Sequence, residues 1–416
     1  MNYIKRVIDE ELNLALRRTG GVQIVGAKSC GKTMSAQQVA RSEVHIDIDP
    51  QVEIAMQTDP SRLLLGEVPR LLDEWQEQPA LWNHVRHAID SRQAKGQFVL
   101  TGSANPVESV KLHSGAGRIA KLVMRPMTWH EMGFSTGEVS LRSLLEGNPP
   151  NSATLGIGIS DIAEQVARGG WPGQLAATTA EALANNRDYL SMIVEADISR
   201  VSERKRDPRR VRSLLASYAR NAATPATITT LAEDAAGADG GLTRETVVDY
   251  IDALTRLMIV EELPAWNAHL RSKASLRQTP KRHLVDPSLA AAVLSADVDA
   301  LLADLVLLGF LFESVVLRDL RVYAQPLEAR LSHYRDSSRN EADIILQLPN
   351  GDWAAFEVKL GFGGANEGAT SLLRVANAVD QSRTGKLLAL TVITSLGFAH
   401  RRPDGVNVVP LATLMP

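Results

Sequence analysis

The chain has 416 residues, 44% of them hydrophobic and 22% charged, with one cysteine and a formal net charge of -3. One hydrophobic core rarely serves a chain this long, so roughly two to four domains are expected. No apolar run approaches the ~18 residues of a bilayer span, the lone Cys30 excludes an internal disulfide and a zinc site built on several thiolates, and the near-neutral charge leaves any nucleic-acid contact to a local basic patch.

Residues Met1 to Leu16 mix charges with apolar residues at helical spacing and carry no secretory pattern. The expectation is a cytoplasmic protein with no membrane contact. From Gly20 to about Met127, short apolar runs alternate with amphipathic stretches: Val22 to Val25, Val44 to Ile48, Val68 to Leu72, Phe98 to Leu100 and Ile119 to Met124. Strands spaced by helices predict a parallel α/β sheet.

Between the first strand and the next helix lies Gly26-Ala27-Lys28-Ser29-Cys30-Gly31-Lys32-Thr33. A glycine-rich turn of this form lets successive backbone N–H groups face a phosphate chain at a helix N-terminus. Lys32 is expected to reach the β- and γ-phosphates of ATP, and the Thr33 hydroxyl to ligate Mg²⁺. The acidic partner is Leu71-Leu72-Asp73-Glu74, with Asp73 on the metal side and Glu74 orienting the attacking water. The strand Phe98-Val99-Leu100 ends in Thr101-Gly102-Ser103, whose hydroxyls, Ser103 among them, are placed to sense the γ-phosphate. Arg118, in Gly115-Ala116-Gly117-Arg118, reads either as an arginine finger for a neighbour's nucleotide, which would imply a homo-oligomer, or as an ordinary surface arginine.

A stretch rich in Gly, Pro and Ser from Gly133 to Pro172 marks a boundary. Beyond it, Asp161 to about Ala300 reads as helical, with a Thr-capped helix over Leu242 to Leu254 and a strand-like Met258-Ile259-Val260, the order of a winged-helix unit. The helix facing a duplex there would carry Arg244 against Glu245, Asp249 and Asp252, an acidic surface better suited to packing or protein contact. His283 and Asp286 read as a turn before a helix. A helix over Leu305 to Val322 then precedes strands at Ala342 to Leu348, Trp353 to Val358 and Ala389 to Thr394. The expected domains are 1–140, 141–300 and 301–416.

In the last module Asp343 and Glu357 stand fourteen residues apart and would meet across one hairpin. Glu357 and Lys359, two apart, share a strand face. Asp343 and Glu357 are candidate ligands for a hard divalent cation, Lys359 a candidate for positioning the attacking water, and Glu313, on the preceding helix, a fourth polar member. The alternative is a solvated strand edge. Arg330, His333, Arg335 and Arg339 form a basic cluster beside this site, suited to phosphates or simply to water.

Taken together, these motifs resemble those of the prokaryotic AAA-type ATPases that carry a C-terminal domain of unknown function. The resemblance runs from the phosphate loop through Leu72-Asp73-Glu74-Trp75-Gln76, Leu100-Thr101-Gly102-Ser103, Gly117-Arg118, Gly169-Gly170-Trp171-Pro172 and Leu263-Pro264-Ala265-Trp266 to Phe312-Glu313. It implies a P-loop AAA-type parallel sheet, a helical, winged-helix-like middle region and a C-terminal α/β module. The nucleotide roles would be those argued above, with Arg118 as the finger. The last module is similar to the restriction-endonuclease-like, or PD-(D/E)XK, nucleases at Asp343, Glu357 and Lys359, with Glu313 in the helical position. Two functions follow as expectations: ATP hydrolysis coupled to a metal-dependent DNA phosphodiesterase or DNA-binding module, or an ATP-driven switch whose nuclease-like module is inactive and binds a protein partner.

Overall fold

In a computed structural model of the chain, residues 3–102, 114–154, 156–199, 206–236, 241–267 and 279–416 are described. The chain forms two compact units from non-contiguous stretches. The first takes Met1–Pro126, Ala196–Lys205 and Ala253–Met258; the second takes Met127–Glu195, Arg206–Asp252 and Ile259–Pro416.

The first unit opens with helix α1 (Ile8–Arg18), acidic in its first turn and basic in its last, which complements the helix dipole. Its elements then run β1 (Gly21–Gly26), α2 (Lys32–Gln37), β2 (Ser42–His45), α3 (Pro50–Thr58), β3 (Arg70–Asp73), α4 (Leu81–Arg92), β4 (Phe98–Gly102) and β5 (Ile119–Met124). The five strands form one parallel sheet in the order β2-β3-β4-β1-β5. All six residues of β1 are buried, as a central parallel strand covered on both faces requires. Alternation sends Leu72, Phe98 and Leu100 to one core with Trp75 and Trp82. Leu71 and Val99 join Leu12, Ile24 and Leu122 on the other side.

Two strands lie off the positions that hydropathy suggests. β2 ends at His45 rather than running to Ile48, because Asp49 accepts from Gln51 N at 2.9 Å and, with Pro50 behind it, caps α3. β3 starts at Arg70 rather than Val68, since Pro69 has no N–H to give a ladder.

The second unit begins with β6 (Val139–Ser140) and α5 (Leu141–Leu145). Helices α6 (Ile159–Arg168), α7 (Thr179–Glu195), α8 (Pro208–Arg220), α9 (Ile228–Asp234) and α10 (Arg244–Arg256) follow; the last turn of α10 belongs to the first unit. Thr243 caps α10 by accepting from Thr246 N at 3.2 Å. An antiparallel pair interrupts the helices, β7 (Val260–Leu263) with β8 (Lys281–Leu284), before α11 (Pro287–Val293) and α12 (Val298–Ala303).

Helix α13 (Leu305–Ala324) is apolar around much of its circumference and buried along most of its length, so it serves as a core element. It packs on a mixed sheet built from β9 (Arg330–Arg335), β10 (Glu341–Gln347), β11 (Trp353–Lys359), β12 (Leu387–Thr394), β13 (His400–Arg401) and β14 (Asn407–Pro410). The strand order is β13-β14-β12-β11-β10-β9. α14 (Ala365–Ala378) makes the crossover between the parallel strands β11 and β12, with the short α15 (Gln381–Thr384) behind it. The terminal strand β15 (Leu414–Met415) returns to pair with β6.

One polar network ties distant stretches of this unit together. Arg318 Nη1 donates to Asp286 Oδ2 at 2.7 Å and its Nε to Asp319 Oδ1 at 2.8 Å. Asp286 also accepts from Ser288 N and Gly170 N, each at 3.0 Å, and Asp319 from Trp129 N at 2.9 Å. His283 and Asp286 thus lie where a strand gives way to a capped helix, His283 in β8 and Asp286 as the N-cap of α11. Both carboxylates have no measurable solvent exposure. Removing the cation from such a network leaves buried charge uncompensated, at a cost of about 3–5 kcal/mol. Arg318→Met is therefore expected to lower the urea midpoint of the second unit sharply, and a loss below about 1 kcal/mol would show that the network is not what holds these segments.

Candidate nucleotide site and a buried carboxylate cluster

The phosphate loop leaves the sheet at the C-terminal end of β1. Gly26 must be glycine, because a Cβ there would stand 2.2 Å from Met124 O and 3.0 Å from Cys30 Sγ. Gly31, at φ 105°, supplies the left-handed turn that starts α2. Arg6 braces the loop from beneath, donating to Cys30 O at 2.9 Å and to Arg125 O at 2.8 Å. Cys30 is buried in the core rather than presented to solvent. Lys32 Nζ curls onto two backbone carbonyls of its own loop, Gly26 O at 3.1 Å and Ala27 O at 2.9 Å. Neutral acceptors hold an ammonium loosely compared with anions, so phosphate oxygens would displace them.

β4 lies between β1 and β3, yet the loop and the acidic strand end meet. Thr33 Oγ1 donates to Asp73 Oδ1 at 2.9 Å, and Thr101, the last hydroxyl of β4 within the described residues, donates to the same oxygen. His45 Nδ1 lies 3.2 Å from Asp73 Oδ2. A threonine hydroxyl and a carboxylate at the edge of a phosphate cradle form a hard-oxygen donor set that fits Mg²⁺. Ser103 lies outside the described residues. Glu74, directly after Asp73, adopts a left-handed backbone at φ 52°, and its carboxylate accepts from the Gln76 side-chain amide.

Arg118 sits elsewhere in the unit. Its Nε lies 2.6 Å from Asp90 Oδ1, and its carbonyl accepts from Gly21 N at 3.1 Å. That is the N-terminal edge of the sheet, whereas the phosphate loop leaves the C-terminal edge, roughly 17 Å along β1. Sequence reasoning missed a different contact at the loop: Lys28 Nζ donates to Asp197 Oδ1 at 2.6 Å. The two residues are 169 apart in sequence, and no local pattern links them.

In the second unit, Asp343 lies at a bulge of β10 against β9, where the register slips between Ala342 and Ile345. Such a bulge re-aims side chains. Asp343 Oδ2 accepts from Val358 N at 2.9 Å, so Asp343 reaches β11 as the sequence suggests. Lys359 Nζ lies 3.1 Å from Glu357 Oε1 on the same face of β11. Glu313, on α13, completes the group.

The centre of this cluster is a residue that no sequence motif marks. Lys281, the first residue of β8, places its Nζ 2.8 Å from Glu313 Oε1 and 2.8 Å from Asp343 Oδ1. It is only 3% exposed. Burial alone would drive the lysine toward neutrality, but the Asp343 and Glu313 carboxylates hold its pKa above the ordinary value. Three carboxylates face two ammonium groups, an excess of one negative charge. Burial, reinforced by the Asp343 charge, pushes the Glu313 and Glu357 carboxyls above the ordinary range despite the lysines.

The fit to a divalent cation is poor as these residues stand. Both Asp343 oxygens and one Glu313 oxygen are committed, and the ammonium lies between the carboxylates that would share the ion. Among the described residues, no group of three or more His, Cys, Asp or Glu is arranged to hold a metal. Of the neighbouring basic residues, Arg330, Arg335 and Arg339 are exposed. His333 is buried, and desolvation together with nearby Lys281 pushes its pKa down to about 4, so it adds no positive charge there.

Residues 19–133 match the AAA domain family, residues 159–300 a domain of unknown function, DUF8612, and residues 308–414 another, DUF4143. Uncharacterized proteins of Mycobacterium bovis and Mycobacterium tuberculosis are each 27% identical over 407 residues, covering 96% of this chain and 82% of theirs. Among solved structures, a Walker-type ATPase of Pyrococcus abyssi is 14% identical, covering 70% of this chain and 96% of its own, with a TM-score of 0.44. A DNA replication initiation factor is 13% identical, covering 60% and 86%, with a TM-score of 0.28.

The Thr101 hydroxyl holds the Asp73 carboxylate from behind, and outer partners of this kind typically change metal affinity by about 10–100-fold. Thr101→Val should raise the Mg²⁺ concentration needed for half-maximal ATP hydrolysis by a factor in that range. An unmoved Mg²⁺ titration would mean that Asp73 does not act through the metal.

Proposed function

We propose that this chain, an AAA-type ATPase with a C-terminal domain of unknown function, hydrolyses Mg²⁺-bound ATP and uses the cycle as a switch on a nuclease-like module that binds a protein partner instead of cutting DNA. The ATP half is supported by the meeting of Thr33 with Asp73 at the C-terminal edge of the parallel sheet, beside the loop on which Lys32 rests. Backbone amides of residues 26–33 cradle the phosphates, and Lys32 exchanges its carbonyl contacts for phosphate oxygens. Thr33 and Asp73 hold Mg²⁺, and Glu74 orients water. Arg118 acts in trans, which calls for a homo-oligomer. In this reading residues 1–140 bind nucleotide, 141–300 supply a helical, winged-helix-like region and 301–416 form the restriction-endonuclease-like module of a cytoplasmic protein.

For the module, the supporting observation is the Lys281 ammonium between Glu313 and Asp343. At a site built of these carboxylates, polarising a phosphate and generating hydroxide from water would fall to a divalent cation, which an ammonium does not replace. A DNA-cutting reading, with Asp343 and Glu357 holding that cation and Lys359 positioning the water, requires Lys281 to leave. DNA binding without cutting has its own support in Arg330, Arg335 and Arg339, exposed on and beside the edge strand β9.

The test is a panel of linear, supercoiled and branched DNA incubated with Mg²⁺ or Mn²⁺, with and without ATP, alongside an ATPase assay. The unmodified protein should hydrolyse ATP, Lys32→Ala should lose that activity by at least ~10²-fold, and every DNA should stay intact. Cleavage that Asp343→Ala abolishes would overturn the switch reading. Salt-dependent retention on DNA without cleavage would replace the protein partner by nucleic acid.

A further inference from the structure

The carboxylate cluster of the second unit has a cation already, and it is part of the chain. Three observations define its place. Lys281 Nζ is equidistant, at 2.8 Å, from Glu313 Oε1 on α13 and Asp343 Oδ1 on β10. The lysine is almost wholly buried, and its backbone is fixed by antiparallel pairing of β8 with β7, Lys281 opposite Leu263. Finally, Glu357 Oε2 is buried with no hydrogen-bond partner among the described residues, although Glu357 is only 7% exposed. A buried, unanswered carboxylate oxygen beside two others marks a pocket whose three acidic side chains exceed the positive charge that Lys281 and Lys359 together bring.

We propose that Lys281 is the resident cation of this pocket, standing where a hard divalent ion would sit, and that its removal uncovers a divalent-cation site formed by Glu313, Asp343 and Glu357. An ammonium satisfies two carboxylate oxygens by directional hydrogen bonds but carries half the charge of Mg²⁺ or Mn²⁺ and brings no metal-bound water. The same three carboxylates, without the lysine, present oxygens from a helix and two adjacent strands, the hard donor type that Mn²⁺ and Mg²⁺ select. The lysine thus serves as a built-in stabiliser: it lets a strand outside the main sheet neutralise α13 and β10, and makes folding of this unit independent of metal. The inference deepens the reading of the module as non-cutting and rests on it.

The experiment uses the full chain in an Asp73→Asn background, so that metal held by Thr33 and Asp73 at the phosphate loop does not contribute, with no nucleotide present. Thermal unfolding is followed in EDTA and across a Mn²⁺ series, with and without Lys281→Met, which keeps length and removes charge. With Lys281 in place the Tm should be the same in EDTA and in Mn²⁺. Lys281→Met should lose roughly 10 °C in EDTA and regain it progressively as Mn²⁺ rises, the signature of a ligand that binds only the folded state. A Mn²⁺-dependent rise with Lys281 present, or a Lys281→Met protein indifferent to Mn²⁺, would overturn the proposal. Should Lys281→Met alone not fold, Lys281→Met combined with Glu313→Gln removes a carboxylate with the cation. That pair should fold in EDTA, and its failure to do so would equally overturn the charge-balance argument. A Mn²⁺-dependent rise with Lys281 present and no DNA cleavage would remove only the role of Lys281, whereas cleavage would remove the non-cutting reading itself.

Discussion

Arg318, Asp286 and Asp319 are almost without contact with water, and the way they are answered sets the pattern for the second unit. One guanidinium reaches two carboxylates, and those carboxylates spend their remaining lone pairs on backbone N–H groups from Trp129, Gly170 and Ser288. Ionised groups cannot be left unpaired in a low-dielectric interior, so each of those chain segments is held where the charge needs it. This explains why residues 127–135, 169–171 and 286–288, scattered in sequence, belong with α13. Burial raises the Asp319 carboxyl to about 6 even against the opposing pull of Arg318, a measure of how dry the location is.

The same rule, applied to different neighbours, gives two sites of opposite character. At the phosphate loop, Lys32 rests on neutral carbonyls and Asp73 on hydroxyls and an imidazole. Those contacts are modest in energy, and a phosphate chain with its metal offers better ones, so the site is organised yet replaceable in its partners. In the carboxylate cluster the partners are fully charged, close and buried. An incoming ion there has to compete with an ammonium that the fold itself delivers.

How much of this was legible in the sequence depends on the distance over which each feature is encoded. The phosphate loop is one contiguous octapeptide, and Asp73 follows its own apolar strand, so local pattern is enough to place both. The helix over 305–324 and strands β10, β11 and β12 are likewise readable from periodicity, within a few residues at their ends. The early stop of β2 and the late start of β3 come from an Asp-Pro cap and a proline, signals that a hydropathy count overlooks but turn chemistry contains. Lys281 is another matter. Its partners lie 32 and 62 residues away on two other elements, and a Lys-Arg-His run before an apolar strand looks like ordinary solvated charge. Only the pairing of β8 with β7 and the packing of α13 turn it inward. Arg118 illustrates the reverse: its flanking glycines suggest a mobile finger, while the sheet puts it at the edge remote from the loop.

Glu357 combines a contact that strand spacing encodes with one that it does not. Its spacing to Lys359 is a two-residue strand alternation, visible in sequence and kept in the structure at 3.1 Å. Its other oxygen, unanswered and buried, depends on what Lys281 does not reach, which no spacing reveals. A motif fixes which side chains share a face, but the charge balance of a pocket is set by every element that closes it. Matching Asp343, Glu357 and Lys359 therefore identifies an arrangement of side chains, and the chemistry available to that arrangement follows from the lysine contributed by β8.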